Sequence, residues 1–194
     1  MRKRRPGRKF LDPELLARAA RYVQGFADQH GIRVALVGGL AMQFYGSTRL
    51  TGDVNFVAES AMPIGEDVQT LSFGGKRYLV LDAVPVDLIV RRDEFKGLYE
   101  AALSEAESTD EGFWVVSPEY LAAMKYATGR AKDRIDLLWL LIQRGLVDTV
   151  KSENIIRRHL GGSIVVRDFR QLTYEARWRA GEFDEGEIET REEE

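Results

Sequence analysis

Two acidic side chains and a pair of glycines are where this sequence offers chemistry. Gly38 and Gly39 follow the apolar run Val34–Val37, and Asp53 stands beyond the next polar turn, in VALVGGLAMQFYGSTRLTGDVNFV. A glycine pair between a strand and a helix lets backbone N–H groups approach an anion closely, and the start of a helix favours negative charge. Asp53, at the mouth of the following apolar run, then sits near that anion. A carboxylate beside a phosphate is repelled unless a divalent cation lies between them, so the combination points to Mg²⁺ and a phosphate ligand. A second acid, Asp87, is the sole charge in the apolar run 86–90. Such a charge is unfavourable unless something pairs with it, which makes Asp53 and Asp87 partners at one metal site. Each alone has a plainer reading: a turn-forming Asp after Gly52, and a strand whose polar face meets water.

The elements that must position these groups follow from the hydrophobic pattern. Around the glycines the order is strand over 34–37, glycine turn, short helix over 40–45, polar turn Gly46-Ser47-Thr48-Arg49, and strand over 54–57 with Asn55 as the odd polar residue. Ahead of them, residues 12–29 read as a helix with Asp12 as N-cap and Pro13 in its first turn. Its apolar face is Leu15, Leu16, Ala19, Tyr22, Val23 and Phe26, and His30-Gly31 ends it. Beyond them come a loop over 58–65, a strand or helical turn over 68–71 and a strand pair around Gly74-Gly75. Ala83-Val84-Pro85 reads as a break before the strand carrying Asp87. Residues 91–107 read as an amphipathic helix with Phe95, Leu98, Tyr99, Ala102 and Leu103 inward, and 112–116 as a short strand. Ser117 then caps a helix that starts at Pro118, and further helices follow over 132–144, 151–160 and 164–180. His30 and His159 fall near helix ends and read as capping or solvated residues.

The stretch GGLAMQFYGSTRLTGDVNFV resembles the core motif of the small bacterial nucleotidyltransferases of the polymerase-β superfamily. Its nearest flavour is the AbiEii/AbiGii type, the toxin half of certain toxin–antitoxin pairs. In that family a GG or GS turn opens a helix, an Asp-x-Asp pair on the next strand binds metal, and a third Asp lies on a later strand of the same sheet. Gly38, Gly39 and Asp53 match directly, and Asp87 in PVDLIV matches the third position. SPEYLAAMKYATGRAKDRIDLLWLL adds Lys125 on a helix, followed by Arg130, Lys132, Asp133 and Asp136. The resemblance covers the chain from about Asp12 to Gly145. It implies an α+β fold, with a small mixed β-sheet nucleotidyltransferase core packed by helices and a C-terminal helical region. The implied reaction moves NMP from an NTP to an RNA, such as tRNA, or to a protein acceptor, with an antitoxin protein as partner. Asp53, position 55 and Asp87 would be the catalytic residues and would hold two Mg²⁺ ions. Gly38 and Gly39 would cradle the β- and γ-phosphates, and Arg49 and Thr51, in the spacing Arg-x-Thr-x-Asp, belong to the same nucleotide site. Lys125 or Arg49 would balance phosphate charge, and Asp133 would orient Lys125 or a loop.

Asn55 departs from the family pattern. An amide in place of a bridging carboxylate removes a full negative charge from between two cations, which weakens metal binding and cuts turnover. Three accounts fit it: an engineered inactivation of a toxic protein, a member that has lost the chemistry and kept nucleotide binding, or another carboxylate that folds into the site. Two functions of different class follow. One is the transferase. The other is a catalytically silent module that holds a nucleotide or a partner protein.

Composition sets the outer bounds. The chain's 194 residues, 44% hydrophobic and 30% charged, suffice for one core of ordinary size with a helical appendage. Without Cys there are neither disulfides nor thiol catalysis, as suits a reducing cytosol. No apolar run reaches the roughly 18 residues of a membrane span, and no signal-peptide pattern opens the chain, so the expectation is a cytoplasmic protein with no membrane partner. The net charge of −3 conceals a basic start, MRKRRPGRK, and an acidic end from Glu182 onward. The reading is a basic arm over 1–11, a nucleotidyltransferase core over 12–116, a helical region over 117–181 and a disordered acidic tail over 182–194. The arm suits RNA or another polyanion, or is simply a solvated end.

Overall fold

The computed structural model describes residues 11–81 and 83–181; the basic run before them and the acidic stretch after them, both singled out in the sequence, lie outside the described residues. The chain divides into two compact units, Met1–Ser117 and Pro118–Glu194. Among the described residues there are seven strands and seven helices, an α+β composition. No helix among them is long and apolar enough to cross a membrane.

The first unit is built on one mixed sheet. Its strands are β1 (Val34–Val37), β2 (Val54–Ala58), β3 (Glu66–Thr70), β4 (Lys76–Val80), β5 (Val84–Ile89), β6 (Glu107–Ser108) and β7 (Trp114–Val115). Across the sheet they run β3-β4-β5-β2-β1-β7-β6. The central pair β2 and β5 is parallel, and β1 lies antiparallel on the far side of β2. β3 at one edge is exposed along its whole length and carries Glu66 and Asp67, the charged character expected of a strand that must not recruit another.

Three helices accompany this sheet. α1 (Pro13–Gln29) starts at an Asp12 carboxylate that accepts from Glu14 N at 2.8 Å. It packs near β2 and β5 through Leu16, Ala19, Ala20, Val23, Gln24 and Ala27. The sequence places Tyr22 on that face, yet Tyr22 is 41% exposed. The buried stripe is centred on small alanines that let the helix backbone come close to the sheet, and the larger Tyr22 is rotated out. α2 (Gly38–Phe44) begins at the glycine pair itself, two residues before the start read from the sequence. α3 (Lys96–Ser104) is shorter than the expected helix over 91–107. The Asp93 carboxylate accepts from Arg91 Nε (2.9 Å) and from Phe95 N (3.3 Å), which fixes a turn ahead of α3, and beyond it Glu107–Ser108 pairs with β7 instead of extending the helix.

Val84 and Pro85, read from the sequence as a break, belong to β5. Pro85 lies opposite Leu79 of β4, and pairing with β2 begins one residue later at Val86. A proline is tolerated there because the central ladder has not yet started.

The second unit is four helices: α4 (Pro118–Thr128), α5 (Ala131–Ile142), α6 (Thr149–His159) and α7 (Ser163–Arg179). α4 packs on α5 and α6, and α7 packs on the same two. Leu121, Leu137, Leu140, Leu141, Ile156, Val166 and Phe169 form their apolar interior. Gly129 and Gly145, at positive φ, close α4 and the turn after α5, and the Asp148 carboxylate caps α6 through Lys151 N.

Candidate functional site

Strand register decides which side chains meet. In the parallel pair, Asn55 of β2 stands opposite Asp87 of β5. On the other side of β5, Arg77 of β4 stands opposite Asp87, and beyond β2, Val37 of β1 stands opposite Asn55. One row across the sheet therefore reads Arg77, Asp87, Asn55, Val37, and Gly38 follows directly. Asp53, in the bend just ahead of β2, meets the same guanidinium as Asp87. Val54, Phe56, Tyr78, Val86 and Leu88 take the opposite face, and all five are buried. The two acids singled out in the sequence thus come together at one end of this strand pair.

Arg77 draws them together. Its Nε donates to Asp87 Oδ1 at 2.5 Å and its Nη2 to Asp87 Oδ2 at 2.7 Å, a two-point match of fork to carboxylate. The same Nη2 lies 3.5 Å from Asp53 Oδ2. The hydrogen bond to Asp87 raises the Arg77 pKa above its ordinary value, against the opposing effect of burial. Asp53 is held from its other side by Thr51, whose hydroxyl donates to Oδ1 at 3.0 Å, and by the Asn55 amide, 3.4 Å from that oxygen. Sequence reasoning missed Arg77, because KRYLVL shows only a basic residue in a strand and the register that aims it at Asp87 is not written in the chain.

The glycine turn presses against this cluster. Gly38 has φ +71°, a left-handed conformation, and a Cβ there would lie 3.0 Å from the Asn55 amide nitrogen. A Cβ on Gly39 would fall 2.6 Å from Thr51 Oγ1 and 3.2 Å from Arg49 Nη2. The loop leading to Asp53 is tied back by Gln43 Nε2, which donates to Arg49 O at 2.7 Å, and by Arg49 N, which donates to Ser47 Oγ at 3.3 Å. Val37, as N-cap of α2, has no side chain able to accept from the first-turn N–H groups. Gly38, Gly39, Arg49, Thr51, Asp53, Asn55 and Asp87 are therefore neighbours in one place.

Lys125 and Asp133 belong to the second unit, where they form a buried ion cluster. Lys125 Nζ donates to Asp133 Oδ1 (2.9 Å) and Asp136 Oδ2 (2.6 Å). Asp133 Oδ2 accepts in turn from Thr128 Oγ1 (2.9 Å) and Arg130 Nε (2.5 Å). Both aspartates are 1% exposed and Lys125 is 7% exposed. Burial alone pushes the Asp133 carboxyl up, but the Lys125 ammonium, with Thr128 and Arg130, more than offsets that and holds it below the usual carboxylate value. In this cluster Lys125 fastens α4 to α5.

Whether these residues suit a metal is a question of donor chemistry. No group of three or more His, Cys, Asp or Glu side chains able to hold an ion occurs among the described residues. Mg²⁺ is commonly bound through one or two carboxylates, with water and substrate phosphates completing its six positions. Asp53 beside the Asn55 amide fits one ion of that kind arriving with a triphosphate. A pair of ions fits poorly, because both oxygens of Asp87 already accept from Arg77.

No family model and no curated protein matches the sequence. Eight solved chains match the structure. Among them is an antigenic nucleotidyltransferase-like protein from Paracoccidioides brasiliensis, 16% identical, with a TM-score of 0.50 over 86% of this chain and 95% of that one. The antibiotic-resistance factor ANT(2'')-Ia matches at 15% identity and TM-score 0.44 over 89% of this chain and 97% of its own. A CCA-adding enzyme in complex with CTP matches at 10% identity and TM-score 0.36 over 84% of this chain and 51% of its own. Resemblance at such identities speaks for architecture, and on the first of these matches the chain has the fold of a nucleotidyltransferase-like protein.

Proposed function

We propose that the chain binds a nucleoside triphosphate at the Gly38–Gly39 turn and transfers its nucleotidyl group to a hydroxyl of an RNA, such as tRNA, or of a protein. The observation that carries this reading is that Asp53, just ahead of β2, and Asp87 of β5 meet one guanidinium beside the glycine turn. In the proposed step the acceptor oxygen bonds to the α-phosphorus, the bond from that phosphorus to its bridging oxygen breaks, and pyrophosphate leaves. The hydroxyl proton passes to an oxygen of Asp87. A divalent ion arriving with the triphosphate would supply charge neutralisation, and Asp53 would be the carboxylate to hold it. Backbone N–H groups of the turn orient the phosphates, and the Arg49 guanidinium beside Gly39 offsets their charge. Lys125 is buried and shared between Asp133 and Asp136, and the phosphate-balancing role falls to Arg49 in this reading. In the biological reading the chain is the cytoplasmic toxin of a toxin–antitoxin pair, its partner an antitoxin protein.

A second reading keeps the nucleotide and drops the chemistry. It is favoured by Asn55, which leaves the site one carboxylate short, and by Arg77, which engages Asp87 on both oxygens. Labelled NTP offered with tRNA and with protein separates the two. Label transfer by the Asn55→Asp variant, with little or none by the present sequence, supports a transferase weakened at one position. No transfer by either, together with NTP-induced stabilisation of both, supports the silent module. Failure of NTP to bind at all sinks both readings.

A further inference from the structure

We infer that Arg77 is a built-in cation of this site, standing between Asp53 and Asp87 where a metal ion would otherwise sit, so that the site accepts no more than the one divalent ion brought by a nucleotide. Three observations support the assignment. The first is register: Arg77 lies opposite Asp87 on the strand next to it, so the backbone ladder aims the guanidinium at the carboxylate. The second is geometry: Nε and Nη2 take one oxygen of Asp87 each, at 2.5 and 2.7 Å, and the same Nη2 reaches Asp53 at 3.5 Å. A cation bridging two acids is what a metal ion would be in that position. The third is charge: with Asn55 neutral, Asp53 and Asp87 are the two acids here, and the Arg77 guanidinium, with that of Arg49 close by at Gly39, already offsets their charge. A second ion would meet a fixed positive charge and find both oxygens of Asp87 engaged.

Arginine suits this task better than lysine. Its charge is permanent, its fork matches a carboxylate, and it sheds water more easily on partial burial. Arg77 acts through Asp87 and Asp53, so it is a positioning residue, and its signature is cation binding as well as turnover. Only the nucleotide half of the inference rests on the function proposed above.

The test is Mn²⁺ binding to the full chain, with free ion followed by electron paramagnetic resonance. Without nucleotide, the native chain is expected to show no saturable Mn²⁺ site. Arg77→Gln, which keeps much of the side-chain stem, is expected to gain one, with affinity raised about tenfold or more once the opposing charge is gone. Adding Asp87→Asn to that variant should abolish the gain, and Arg77→Lys should stay close to native. A saturable site in the native chain without nucleotide, or an Arg77→Gln chain that folds and binds Mn²⁺ no better than native, overturns the inference. The native arm needs no variant, so it decides even if the substitutions fail to fold. In a second arm, with α,β-methylene ATP, one Mn²⁺ per native chain is expected and two overturn the inference. Absence of nucleotide binding in that arm would refute the proposed function, while the nucleotide-free arm still decides the role of Arg77.

Discussion

Asp53 owes its position to a hydroxyl and to the absence of a methyl group. The hydroxyl is that of Thr51, 3.0 Å from Asp53 Oδ1; the missing methyl is that of Gly39, whose Cβ would lie 2.6 Å from the same hydroxyl. Thr51→Val keeps the shape and removes the donor. Because the bond is present without nucleotide, the thermal midpoint should fall by about 2–4 °C, the worth of roughly 1 kcal/mol of hydrogen bonding. Gly39→Ala acts through volume. The added carbon forces Thr51 and the turn apart, and denaturant titration should show a loss of about 1–3 kcal/mol alongside weakened nucleotide binding. Types and spacing made Gly39, Thr51 and Asp53 legible as one group in the sequence. Arg77 was illegible because nothing in KRYLVL distinguishes a guanidinium aimed at an acid from one in water.

The pairing of α4 with α5 depends on a charge cluster as much as on leucines. Removing the ammonium in Lys125→Met leaves Asp133 and Asp136 buried without their shared partner, and urea unfolding should show a loss of about 3–5 kcal/mol. Because the folded protein holds the Asp133 carboxyl below its ordinary value of 3.8, its contribution is complete above that pH and disappears as the pH falls through the lower folded value. Stability followed downward from about pH 5 should therefore drop in acid, and Asp133→Asn should flatten that part of the curve while lowering the plateau at neutral pH. At this level most helices were readable within two residues, since Asp12 and the Pro13 after it mark a start locally, while the Asp148 cap and the Gly129 stop went unread and α3 starts five residues later than expected. Pro85 in β5 and Tyr22 turned outward were not readable. Each depends on what lies across from it.

For the whole chain, binding is the property that separates a working site from a fold kept for its shape. A nucleotide at a hundredfold excess over its dissociation constant stabilises the folded state by about 2.7 kcal/mol. For a chain of this length that corresponds to a rise in the thermal midpoint of about 5–10 °C. A differential scanning melt of the full chain with ATP and Mg²⁺ should show it, for the transferase and the silent module alike; an unmoved midpoint would remove nucleotide binding from the account.

The sequence by itself determined the elements and the inventory of reactive groups: a glycine corner after a strand, two acids at the right intervals, an amide where a third acid is expected, and helices with their caps. The elements and caps are local matters, read from periodicity and nearby side chains, whereas the expected third acid is what the family resemblance implies. The tertiary structure alone decided who faces whom. Strands distant in sequence had to align before Arg77 could reach Asp87 and Asp53, and α4 had to meet α5 before Lys125 became a buried tie between two aspartates. Pairing across strands and helices is fixed by the burial of the opposite faces, and that burial is a property of the assembled core.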